Sequence, residues 1–169
     1  MQRGMFMQAV VVEQTESFMP AMPERILVAT DMTDTDALVP HAIAQARANG
    51  AEVMLLHAVA ESAAVDEAEG DYLAKVKRLR DLRVELLGVA RRFESQGIAC
   101  ATAVRNGAAS EVICAELDRC SVSRIILGAG GREGVGPFLP GSVARELDGR
   151  VGVPISVVGM NGQVLPAGS

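Results

Sequence analysis

The sequence has only three cysteines, Cys100, Cys114 and Cys120. They form no C-x-x-C pair and leave an odd count, which points away from a zinc site or a disulfide framework and toward a reducing, cytoplasmic setting. A positive surplus is also missing: 16 Lys and Arg against 21 Asp and Glu give a formal net charge of −5. That balance is a poor one for gripping nucleic-acid phosphates, so no nucleic-acid partner is expected. No stretch approaches the roughly 20 apolar residues of a membrane span, and no membrane insertion is expected. Two familiar phosphate motifs are absent as well. Without a G-x-x-x-x-G-K-[ST] there is no P-loop lysine and no magnesium-binding hydroxyl. A dinucleotide G-x-G-x-x-G should follow the first strand, whereas "GAGGREG" comes late in the chain and departs from that spacing.

What is present is a 169-residue chain with 49% hydrophobic and 22% charged residues, enough to bury one core without disulfides or metal. Residues 1–22 include the apolar run Met5–Val12, which is interrupted by Gln8, stops at Glu13 and lacks a small-residue cleavage pattern. We read them as a flexible or loosely docked extension, with a start at Met19 or Met22 or an added edge strand "QAVVV" as alternatives. The folded domain is expected over 23–160 and a C-terminal tail over 161–169.

"RILVAT" (25–30), "EVMLLHAV" (52–59), "IACATAV" (98–104), "SRIILG" (123–128) and "PISVVG" (154–159) are short, β-rich apolar runs. Between them lie helical patterns. The first is capped at Thr33 or Asp34 and ended by Asn49-Gly50, and the second spans 71–96 and is closed by Gly97. A third starts near Ala109, and the fourth is "SVARELDG". Strands alternating with helices predict a doubly wound α/β domain. Its expected form is a five-stranded parallel sheet of order 3-2-1-4-5, Rossmann-like, with helices on both faces. Ligands of such sheets bind beyond the carboxyl ends of the strands where the winding reverses, which directs attention to Asp31 and Gly128.

The segment "GAGGREGVGPFLPGS" (128–142) holds six glycines and two prolines. Glycines there would let a backbone approach an anion that a Cβ would obstruct, and the helix opened by Ser142 would offer amides to it. The alternative is a loop that needs glycine only for its turns.

Together "ILVATD", "EVMLLHAV" and "LGAGGREGVGPFLPGSV" resemble the universal stress proteins, the last matching that family's ATP-loop pattern G-x2-G-x9-G-[ST]. The resemblance covers about residues 24–159 and implies an adenine nucleotide alpha hydrolase-like fold that binds ATP, with Mg or Mn. It implies that Ala29, Thr30 and Asp31 line an adenosine pocket closed by Ala58, and that Leu127 and Gly128 touch the nucleoside. Gly131, Gly141, Ser142 and Val143 would hold the phosphates. The chain departs from the pattern at Ala129-Gly130, where many ATP-binding relatives carry Ser-Arg or Ser-His, and Arg132 stands ready to substitute. Pro137 and Pro140 also stiffen the segment.

Other residues carry less. Asp31 can also serve the helix start, His57 and His41 read as structural, and "KVKRLRDLR" (75–83) reads as the solvated side of an amphipathic helix. No base and charge-stabilising set for phosphoryl transfer is evident. The expectation is a nucleotide-binding regulatory module of the stress response, with an unidentified protein partner and a homodimer built on strand 154–159. The rivals are a relative acting through protein contacts alone, and a slow ATPase or a protein autophosphorylated on Ser142.

Overall fold

The computed structural model describes residues 22–60, 69–129 and 142–166. Three βα units come first: β1 (Arg25–Ala29) with α1 (Thr35–Asn49), β2 (Glu52–Val59) with α2 (Glu69–Glu94), and β3 (Cys100–Asn106) with α3 (Ala109–Arg119). They are followed by β4 (Arg124–Gly128), α4 (Ser142–Leu147), β5 (Ile155–Val158) and β6 (Val164–Pro166).

The strands form one sheet of order β3-β2-β1-β4-β5-β6. The first five are parallel, as expected, and β1 is central, with Ala29 level with Leu56 of β2 and Leu127 of β4. Burial on both faces follows from the two-residue period of a strand. Ile26, Val28, Val53, Leu55, Ile126 and Val158 share one cluster with Leu38 of α1 and Phe93 of α2. Their neighbours Leu27, Leu56, Ile125, Leu127 and Val157 join the other, with Ile113 of α3 and Leu147 of α4. Gly50, at φ 59°, caps α1 with its N–H on the Ala46 carbonyl, a left-handed position that glycine occupies without Cβ strain.

Three sequence expectations need correction. The sheet has six strands rather than five. The chain turns back at Gly162 (φ 78°), Gly159 N–H donates to the Gln163 carbonyl at 2.7 Å, and Val164–Pro166 pairs antiparallel with β5. β5 is therefore interior, and the free edge on which a homodimer through 154–159 was expected is taken by residues read as a tail. The third strand begins at Cys100 instead of 98, while Ile98 is buried just before it. Finally, helical spacing over 71–96 counts Leu79, Leu82, Val84, Leu86, Leu87, Ala90 and Phe93 as one apolar pattern, but α2 buries Leu86, Ala90 and Phe93 and leaves Val84 and Leu87 exposed. At 100° per residue they point well away from that face. Residues 1–21, with "QAVVV", lie outside the described residues.

Candidate functional site

At the carboxyl end of β1 the chain passes through Thr30, Asp31 and Met32 before α1 begins. Thr30 stays joined to the sheet, its N–H donating to the Leu56 carbonyl at 3.0 Å. Its own carbonyl accepts from His57 Nδ1 at 2.8 Å, which requires the proton on Nδ1 because a carbonyl oxygen cannot donate. His57 is thus tied to the backbone, as its structural reading expected. Met32 turns the loop at φ 75°, the only left-handed non-glycine among the described residues. Its N–H donates to Thr30 Oγ1 at 2.9 Å, which offsets the strain.

Asp31 is exposed, and its Oδ1 accepts both the N–H and the hydroxyl of Thr33, at 2.8 and 2.6 Å. This is the helix-start role considered for it. Asp34 holds the N-cap position, with its carbonyl accepting from Ala37 and Leu38, yet its side chain makes no cap bond. Instead it turns inward, 5% exposed, and its Oδ1 accepts from the Thr30 hydroxyl at 2.6 Å. Its other oxygen lies against Gly128 of β4: a Cβ added there would sit 1.6 Å from Oδ2. The glycine opening the loop is therefore needed for a side chain of this protein, whichever ligand it meets. Burial pushes the Asp34 carboxyl up from 3.8 to about 6, against the Thr30 hydrogen bond.

The expected site residues divide into three groups. Ala29, Thr30 and Asp31 from β1, Ala58 from β2, and Leu127 and Gly128 from β4 meet at the carboxyl ends of three adjacent strands. Ser142 is exposed and Val143 half-buried at the start of α4, whose Ala144 and Leu147 anchor it to the second cluster. Gly131, Arg132 and Gly141 lie outside the described residues. Asp34 was read from the sequence as a cap. The one available signal was its spacing, four residues beyond Thr30 and in a loop with Asp31.

The remaining candidates stay peripheral. His41 Nε2 is buried without a hydrogen-bond partner, and burial followed by the charge of Arg124 lowers the pKa of the ring. Burial pushes Cys100 up to about 12, far from a reactive thiolate. Lys75, Lys77, Arg78, Arg80 and Arg83 are all exposed along α2, as a solvated face requires. Among the described residues no three His, Cys, Asp or Glu side chains gather as a metal site, and no helix is long and apolar enough to cross a membrane.

No curated protein matches the chain. Among solved structures it is similar to the hypothetical protein MJ0577, with 24% identity over 82% of this chain and 96% of that one, at a TM-score of 0.70. It is also similar to the universal stress protein from Archaeoglobus fulgidus in complex with dAMP (16% identity, 79% and 96% covered, TM-score 0.58). A third, a universal stress protein in complex with cAMP, aligns at 18% identity over 82% and 98%, with a TM-score of 0.59. At these identities the likeness establishes the fold. The model of the universal stress protein family matches residues 22–159, nearly the whole described fold, and the chain accordingly belongs to the universal stress protein family.

Proposed function

We propose that this protein is a cytoplasmic nucleotide-dependent regulatory module that binds ATP or a related adenine nucleotide, with Mg or Mn, in the crevice between the ends of β1 and β4. The observation that carries the reading is the convergence of Thr30, Asp31, Ala58, Leu127 and Gly128 at the reversal of strand order, where α/β sheets take ligands. The two relatives in complex with dAMP and cAMP support the ligand class. The residues fit a nucleoside. Both hydrogen bonds of the Asp31 carboxylate fall on Oδ1, so Oδ2 is left among the described residues to accept from ribose hydroxyls. Ala58 offers a small apolar surface for the base. Gly131, Arg132, Gly141, Ser142 and Val143 would hold the phosphates, whose charge the metal would offset.

A relative that acts through protein contacts without nucleotide is the second reading. It is favoured by α2, along which Tyr72, Leu73, Val76, Val84 and Leu87 are exposed. Mass spectrometry of ligand released from the purified protein, with calorimetry of wild type and Gly141→Val against ATP, separates the two. An adenine nucleotide in the first measurement and binding lost in a folded variant are expected. Unchanged affinity in Gly141→Val would overturn the phosphate assignment.

A further inference from the structure

Helix α2 carries a surface outside both the core and the proposed crevice. At 100° per residue, Leu73, Val76, Val84 and Leu87 all lie within about 60° of position 80 on the helix, and they are 69%, 45%, 62% and 50% exposed. Position 80 completes their spacing of three, four, four and three residues, which is that of a two-helix seam, but it is held by Arg80. Lys77 and Arg83 border the seam, one on each side at about 60°, and all three bases are exposed. The acids of the span, Asp81 and Glu85, fall at about 100° and about 140°, clear of it. A sector about 22 Å long therefore joins apolar side chains to basic ones and holds no acid. None of its bases has an ion-pair partner among the described residues. We infer that this face of α2 docks an acidic amphipathic helix of a partner protein, with apolar side chains along the seam, carboxylates at its flanks and one carboxylate opposite Arg80.

Charge selects this occupant. Over 75–83 five bases stand against one acid, in a chain whose net charge is −5, so a negative partner is drawn to this helix and repelled by the rest of the molecule. A second copy meeting this face with its own would set like charges together, and an antiparallel two-fold pair would place Arg80 on Arg80. A lipid surface would take in Arg80 at the middle of the apolar seam. A facing helix can put a carboxylate there, in the paired geometry a guanidinium favours. A charged seam position lowers affinity and fixes register, as a contact that is made and released requires. The inference deepens the reading through protein contacts and rests on the surface that reading uses, with or without nucleotide in the crevice.

The probe is a synthetic peptide of about four heptads, with leucine along its seam, glutamate at one central seam position and glutamate at both flanks. Fluorescence anisotropy follows its binding to the full chain at about pH 7, where its carboxylates are charged. Two further peptides serve as controls, one of the same composition in scrambled order and one with lysine in place of every glutamate. Wild type should hold the acidic peptide at least about tenfold tighter than the scrambled one and leave the lysine peptide unbound. Arg80→Glu combined with Arg83→Glu should lose about tenfold toward the acidic peptide and gain binding of the lysine peptide. A reversed preference cannot come from loss of structure, and Leu87→Ser, also at an exposed position, should weaken the acidic peptide on its own. No binding of the acidic peptide up to about 1 mM, or equal binding of the scrambled one, overturns the partner class. An acidic peptide held equally by the charge-reversed variant overturns this face and leaves protein contacts elsewhere standing. A wild-type dimer that Val76→Lys dissolves in sedimentation overturns the inference in favour of a second copy. Arg80-dependent binding to phosphatidylserine vesicles without peptide binding overturns it together with the protein-contact reading. ATP binding, titrated in the same samples, should be unchanged throughout.

Discussion

Gly128 and Asp34 compete for one space. A Cβ at position 128 would lie 1.6 Å from Oδ2 and 2.6 Å from Cγ of Asp34, so Gly128→Ala must expel a carboxylate from its pocket and from Thr30. Urea unfolding should register a loss of about 1–3 kcal/mol. Adding Asp34→Ala to that chain should recover part of it, giving a coupling of about 1 kcal/mol in a double-mutant cycle. Strict additivity would show that the two groups do not meet. Asp34 also sets a pH dependence of stability. Its folded pKa, about 6, is above its ordinary 3.8, so between those values the folded chain binds more protons and stability falls as pH rises. Asp34→Asn should therefore be the more stable protein at pH 7.5, by up to on the order of 3 kcal/mol. Its advantage should vanish below the ordinary carboxylate range, and paired thermal melts at the two pH values check both the size and the sign.

Helix α2 shows why spacing within an element has to be tested against the sheet beneath it. Phe93 is fully buried against the face carrying Ile26 and Leu55, whereas Val84 and Leu87 are 62% and 50% exposed. Phe93→Ala should cost about 3–5 kcal/mol in chemical unfolding. Leu87→Ala should stay within roughly 0.5 kcal/mol, and an equal cost for both would contradict this orientation. Strand β6 makes a comparable statement at the sheet's end. It satisfies the outer edge of β5 through the register Val157 to Leu165 and Val158 to Val164. Deletion of residues 160–169 should leave that edge unpaired, and an unpaired apolar edge templates another chain. Sedimentation should then find more self-association in the truncated protein than in the full chain. An unchanged mass would mean that the edge is not sticky.

For the molecule as a whole, a ligand that binds only the folded state stabilises it by mass action. ATP at 100 times its dissociation constant should add about 2.7 kcal/mol, visible as a thermal shift of a few degrees. Turnover belongs at this scale too, because it needs groups brought in from several elements. His57 Nδ1 is held by the Thr30 carbonyl at 2.8 Å and Asp31 Oδ1 is occupied by Thr33, and the sequence shows no evident base and charge-stabilising set for phosphoryl transfer. ATP hydrolysis, if measured, should stay far below the roughly 1 to 1000 per second of ordinary enzymes. A metal-dependent rate within that range would move the assignment to an enzyme.

Local chemistry was legible in the chain. The β-branched runs placed β2 at 52–59, and the first four helices and five strands followed in the expected order. Gly50 and Gly97 marked helix ends because left-handed φ leaves a local signature in residue type. The parallel sheet was legible too, since strands buried on both faces read as continuous apolar runs and right-handed crossovers leave few topologies. What sequence could not supply were choices between partners distant in the chain. Asp34 satisfies every local rule for a cap, yet the space beside Gly128 and the hydroxyl of Thr30 draw its side chain inward. Val157 and Val158 read as an edge strand until Gly159–Gly162 brings Val164 and Leu165 back against them. Both outcomes depend on which surface is vacant after the sheet has assembled, and a vacancy is a property of the packed molecule rather than of any stretch of residues.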